Sequence, residues 1–151
     1  MRWAAYMALW ALTGSPMQVD GPVAVFDLVD ETGKLSTLSV KKISARARHR
    51  FVRRGVRLVP HATVKARLDR MAKQGISCEG LACLTEVAQA VEAGALFRAR
   101  VARVEGACVV FAGIHRLTEP PLVRTASVAG GCEVHQVRRS VSLAVDEILP
   151  R

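Results

Sequence analysis

Apolar residues follow two different rhythms along this chain, and the change falls near Ala95. Before it they recur every three or four residues in stretches bounded by glycine. After it they alternate with polar residues in runs bounded by Gly and Pro. The first periodicity is that of amphipathic helices and the second that of half-exposed strands.

The Val-rich run PVAVFDLVD after Gly21 reads as a buried strand ending in acidic residues, with Asp30, Glu31, Thr32 and Gly33 in the turn that follows. Ser36 to Arg54 has the length and spacing of a helix. Leu38, Ile43, Ala47 and Phe51 or Val52 can share its buried face, and Gly55 is a natural stop. VRLVP is a short strand broken by Pro60. His61 to Gln74 repeats the helical pattern through Val64, Leu68 and Met71, ending at Gly75. Leu84, Val87, Ala88 and Val91 mark a third helix, closed by Gly94.

From Ala95, ALFRARVARVEG alternates apolar with basic residues, as a strand with one wet face does. Glu105-Gly106 is a hairpin turn and ACVVFAGIHRL the returning strand. After Glu119-Pro120-Pro121, LVRTASVAG makes a third strand, ended by Gly130 and Gly131. Glu133 to Leu149 is a final helix carrying Val137, Val141, Leu143 or Ala144, and Ile148. The order β-α-β-α-α-β-β-β-α predicts an α/β (α+β) sandwich. Its mixed five-stranded sheet has an antiparallel C-terminal meander with helices packed on it. The first two strands, joined by a helical crossover, should be parallel.

Composition narrows the class. A chain of 151 residues with 50% hydrophobic content can bury one ordinary core. Aromatics make up only 5%, so that core is built from Val, Ala and Leu. A net charge of +9 suggests a polyanionic partner, or else only an Arg-rich soluble surface. The first residues, MRWAAYMALWALTGSPM, place Arg2 before an uncharged apolar run from Trp3 to Leu12, followed by Thr13, Gly14 and Ser15. That order is similar to a secretory signal peptide and too short for a membrane span. Residues 1–20 are thus expected to be a signal-like or flexible segment, and residues 21–151 a single α/β domain. No cysteine follows the apolar run, so a lipid anchor is not supported.

Several segments together carry a resemblance. VAVFDLVDETG is followed by a long helix, the RLVP strand, VKARLDRMAKQGIS, the CEGLAC turn, and EAGALFRARVARVEG. This succession resembles the periplasmic α/β domain shared by the TolB N-terminal domain and the curli-secretion lipoprotein CsgG. A Cys-x4-Cys pair precedes the corresponding helix in many members of that family. The resemblance covers about Val23 to Leu149 and implies a periplasmic, non-catalytic domain. Gly94-Ala95-Leu96 stands where the family has Gly-Ala-Asp, and no propeller or pore-forming insertion is present, so those whole-protein functions do not transfer.

Four cysteines carry the remaining chemistry. Cys78 and Cys83 can close a small loop as a disulfide if the protein is exported; two unrelated thiols are the alternative. Zinc would need paired ligands that His49 and His61 do not supply, and a thioredoxin-type pair needs two intervening residues. If the Pro120-Pro121 turn joins antiparallel strands, Cys108 lies across from Ala129, with Cys132 just beyond. A second disulfide, Cys108–Cys132, would then tie the last helix to the sheet; two buried thiols are the alternative.

Asp27, Asp30 and Glu31 at the end of the first strand read as turn and cap residues more than as metal ligands. His115 and His135 lie at no recognisable spacing from a nucleophile, and no catalytic motif appears, so neither an enzyme nor a cofactor is expected. Lys41, Lys42, Arg46, Arg50 and Arg53 on the first helix, with Arg98, Arg100 and Arg103 on one face of a strand, form a candidate basic patch. Only Phe51 and Phe97 lie near it, which is thin for base stacking. The expectation is an exported, periplasmic or secreted, non-enzymatic binding or assembly module with a protein partner in the cell envelope. A cytoplasmic nucleic-acid-binding module is the alternative.

Overall fold

The computed structural model describes residues 20–150, so the signal-like run lies outside the described residues. Two short edge segments, β1 (Val23–Val25) and β2 (Val29–Asp30), are followed by helices α1 (Thr37–Arg53), α2 (His61–Lys73) and α3 (Leu81–Ala90). The meander β3 (Ala95–Val104), β4 (Ala107–Arg116) and β5 (Val123–Gly130) leads into α4 (Val134–Ile148). The five strands form one mixed sheet in the order β1-β3-β4-β5, with β2 also on β3. β1 and β2 run parallel to β3, and the meander is antiparallel.

The Val-rich run divides because one edge carries an extra residue. Val25 faces Phe97 while Val29 faces Arg100, so Phe26, Asp27 and Leu28 lie opposite only Arg98 and Ala99. Such a bulge reverses the alternation of side chains. Ala24 and Phe26 point to one core and Leu28 to the other, beside Val23 and Val25. The Leu28 N–H, out of the ladder, donates to Ser44 Oγ of α1 at 2.9 Å, and that hydroxyl donates onward to Val40 O at 2.7 Å. Ser44 is thus one of two buried polar side chains among the described residues.

The expected strand VRLVP narrows to a single parallel bridge, Leu58 against Val23. Val23 N donates to Arg57 O and Val59 N to Val23 O, both at 2.9 Å, before Pro60 ends the pairing by lacking an N–H. At the other turn, Glu105 and Gly106 both have positive φ (50° and 81°), the conformation a two-residue hairpin requires. Gly94 is held against the residues just before β1. Its N–H donates to Pro22 O at 2.8 Å, and a Cβ there would lie 1.9 Å from Asp20 O.

Helices cover the sheet unequally. α1 and α4 lie on one face, where Ile43, Ala47 and Phe51 meet Phe97, Val101, Val110, Ile114, Val141 and Ala144. Phe51 and Phe97 pack edge to face at 4.9 Å between centroids. Leu38 and Val52 fall outside the i, i+4, i+8 stripe of Ile43, Ala47 and Phe51 and stay exposed. α2 and α3 cover the other face only at its β1 side, through Val64, Leu84, Val87 and Ala88 against Ala24, Phe26 and Leu96. The described residues leave the β3–β5 part of that second face open.

Two disulfides complete the framework. Cys78–Cys83 closes a loop at the entrance of α3, and Cys108–Cys132 joins β4 to the residues before α4. β5 is offset by one residue from the expected register, so Cys108 faces Gly130 rather than Ala129. Glu133 then caps α4 with a reciprocal box, its N–H donating to Gln136 Oε1 at 3.1 Å.

Candidate functional site

The open part of the sheet is a groove of about 670 Å³. Its floor is built from alternate residues of the meander: Arg98 and Arg100 of β3, Phe111, Gly113 and His115 of β4, and Thr125 and Ser127 of β5. Period-two alternation puts these on one face. Phe26, Asp27 and the α3 side of the molecule, including Cys78, Glu79 and Leu84, form the wall. Gly113 lets the imidazole lie flat, since a Cβ there would come within 3.3 Å of His115 Nε2.

The groove's charges are partly cancelled. Arg100 stacks over the Phe111 ring at 4.3 Å and donates to Glu31 at 3.0 Å. Asp27 is held by Arg48 at 2.9 Å. Arg98 is half-buried and has no ion pair among the described residues. Beside it, His115 has its pKa lowered, first by burial and then by the Arg98 charge. The site therefore offers the Arg98 cation beside a neutral imidazole and two hydroxyls, with the Phe111 ring under Arg100 and the exposed Glu79 carboxylate on the wall. That combination suits binding of a carboxylate next to an apolar group.

The carboxylates after the first strand are structural. Asp30 accepts from Thr32 N and Leu35 N, both at 2.9 Å, and shapes the turn into α1. Burial raises its pKa, but the hydrogen bond from the Thr32 hydroxyl, together with those from the backbone, outweighs that and leaves it lowered. Among the described residues no group of three or more His, Cys, Asp or Glu is placed to hold a metal ion. All four cysteines are in disulfides.

The expected basic patch does not form one surface. Arg98 and Arg100 lie on the open face, while Arg103 faces Cys108 and belongs to the α1/α4 side. An even-numbered and an odd-numbered residue of one strand cannot share a face. Lys41, Lys42, Arg46, Arg50 and Arg53 ride on α1, with the whole sheet between them and Arg98. Phe51 and Phe97 are buried, so neither can stack on a base.

A second basic region, missed in the sequence, lies where α1 meets α4. Arg46, His49 and Arg53 line a groove of about 480 Å³ with His135, Arg138 and Arg139. Arg50 is tied down there: its Nε donates to Asp146 Oδ1 at 2.7 Å, and Arg54 donates to the same oxygen at 3.0 Å. The Arg50 hydrogen bond is the main cause of a lowered Asp146 pKa. Spacing of i, i+3 and i+7 along α1 was visible, but its meeting with α4 was not.

The class these features define is a disulfide-stapled α/β domain with one half-open sheet face. No family model matches the chain, and no curated protein matches it. Solved structures do share its fold. The LpoB C-terminal domain from Salmonella enterica has a TM-score of 0.61 at 10% identity, over 84% of this chain and 94% of that one. The PelC dodecamer from Paraburkholderia phytofirmans has a TM-score of 0.50 at 14% identity, over 91% and 94%. Lipoprotein GNA1162 from Neisseria meningitidis has a TM-score of 0.49 at 16% identity, over 85% and 96%. The likenesses to the LpoB domain and PelC establish the fold alone, and they do not single out the TolB and curli-secretion type.

Proposed function

We propose that this chain is an exported, non-enzymatic binding or assembly module of the bacterial cell envelope. It engages a protein partner through the open β3–β5 face. The observation that carries this reading is the groove itself, where half-buried Arg98 stands unpaired beside His115 and Phe111. An acidic segment with a neighbouring apolar side chain matches that lining. Its carboxylate would pair with Arg98, and its apolar group would lie on the Phe111 and Phe26 side.

Three further points support export. Two disulfides suit an oxidising compartment. The N-terminal run has the order of a signal peptide. The fold is shared with the LpoB domain and PelC, and the succession of segments resembles TolB and CsgG-type periplasmic domains.

A photo-crosslinking residue placed at Ser127, which is exposed at the groove, tests the reading in cells. The expected result is a discrete adduct with an envelope protein that disappears when Arg98 is changed to Glu. An adduct unaffected by Arg98→Glu, or none from Ser127, would remove the groove as the binding site.

A further inference from the structure

The basic groove between α1 and α4 plays no part in the reading above and lies on the opposite side of the sheet. Its guanidinium groups come from two parallel stripes. One is Arg46, Arg50 and Arg53 on α1; the other is Arg138 and Arg139 on α4. Asp146 is the one carboxylate lining it, and Arg50 with Arg54 already occupies that group. Arg46, Arg53, Arg138 and Arg139 are exposed and make no ion pair among the described residues. Side chains three and four apart on a helix stand about 5–6 Å apart at Cβ. The groove thus presents a two-rowed array of cations matched to several phosphates, not to one.

Leu143 decides among phosphate-bearing ligands. It lines the same groove and remains 48% exposed, an apolar side chain surrounded by cations. A nucleic acid would call for large aromatic platforms or base-edge readers; among the described residues no Phe, Tyr or Trp lines this groove, and only the imidazoles of His49 and His135 offer rings. A bilayer surface calls for what is present: a cationic face with an apolar side chain able to enter the headgroup boundary. The two disulfides also argue for a compartment without nucleic acid. From this arrangement we infer that the α1/α4 face binds the surface of an anionic phospholipid bilayer. Arg46, Arg53, Arg138 and Arg139 engage headgroup phosphates, and Leu143 enters between them. The open β3–β5 face is then turned away from the membrane toward its partner.

The test is sedimentation of the full chain with lipid vesicles. Phosphatidylcholine vesicles are compared with vesicles in which about a third of the lipid is phosphatidylglycerol. Preference for the anionic vesicles is expected, weakening as salt rises from about 0.05 M to about 0.5 M. Each arginine removed should weaken partitioning about fivefold, so Arg46→Gln with Arg139→Gln should lose about 25-fold. Arg46→Lys with Arg139→Lys should retain binding, because headgroups read charge rather than a planar fork. Leu143→Ser should weaken the binding that survives at high salt. Arg98→Gln with Arg100→Gln, on the opposite face, should leave vesicle binding as in the parent while removing the partner adduct at the groove, which separates this inference from the groove reading.

The glutamine and serine variants replace exposed side chains, and an unchanged melting temperature for each would show that any loss is one of binding. Equal binding to both vesicle types, or a double glutamine variant that binds like the parent, would overturn the inference. So would tighter binding to single-stranded oligothymidine than to anionic vesicles at equal phosphate and salt. In that case the array serves a nucleic acid.

Discussion

Removing the Cys108–Cys132 disulfide should destabilise the domain more than removing Cys78–Cys83, and the loop lengths set the difference. The first closes a sequence separation of 24 and the second a separation of 5. In the chain-entropy treatment, cross-links of those lengths stabilise by about 3.5 and about 2.2 kcal/mol. For a domain of this size, about 4 °C of melting temperature corresponds to each kcal/mol. Losses of about 14 °C and about 9 °C follow.

Packing widens the gap. Cys108 is 3% exposed in β4, and its partner lies directly before the capped start of α4, so that bond fastens α4 to the sheet. Cys78 lies in a mostly exposed stretch and is only half-buried, at the margin of the core under α2 and α3. Opening there is local, so the smaller figure is an upper bound. The assay is calorimetry of the parent with and without dithiothreitol, and of Cys108→Ala/Cys132→Ala and Cys78→Ala/Cys83→Ala. Alanine at position 108 adds a small packing loss that the reduced parent lacks, so the two measurements bracket the effect of the bond. A larger drop for the Cys78/Cys83 variant would refute the reasoning.

Other consequences follow from single contacts. Ser44→Ala should cost about 1–3 kcal/mol in urea denaturation, because the Leu28 N–H at the bulge loses its acceptor. Gly94→Ala forces a Cβ to within 1.9 Å of Asp20 O; about 1–3 kcal/mol or more of destabilisation is expected, together with loss of protection at the start of β3 in hydrogen exchange. Asp146 has a lowered pKa in the fold, so it contributes stability above the ordinary carboxylate range. That contribution is lost as pH falls through the lowered value; Asp146→Asn should flatten the acid limb of a stability profile. His115, also lowered, takes up a proton less readily in the folded state than in the unfolded one. Stability should therefore decline as pH falls below about 6.5, and NMR titration of Arg98→Gln should show the imidazole pKa moving back upward.

Local rules carried much of this fold into the sequence. The four helices appear where apolar residues recur at helical spacing, and the N-cap at Ser36, accepting from Ser39 N at 3.1 Å, sits where the periodicity begins. The meander was legible from alternation and from the Glu105-Gly106 turn. The bulge at Phe26–Leu28 was not, because the group that satisfies it, Ser44, is sixteen positions away on a helix. VRLVP has a strand's composition but shows only a bridge, since Pro60 limits its ladder.

The chemistry was less legible than the fold. Arg98 and Arg100 were correctly placed on a wet face, yet Arg103 lies on the other side by simple parity. Arg138 and Arg139 became part of a groove only through the packing of α4 on α1, a long-range contact without a local signal. Both cysteine pairs lay at separations that allow a bond, but the compartment decides whether one forms.

Export with intact staples is the claim on which the envelope reading depends. Fractionation of cells making the protein with its native N-terminus, combined with thiol alkylation before and after reduction, tests it most directly. The account predicts protein outside the cytoplasm, no alkylation before reduction and four alkylated cysteines after it. Cytoplasmic protein with four free thiols would contradict it.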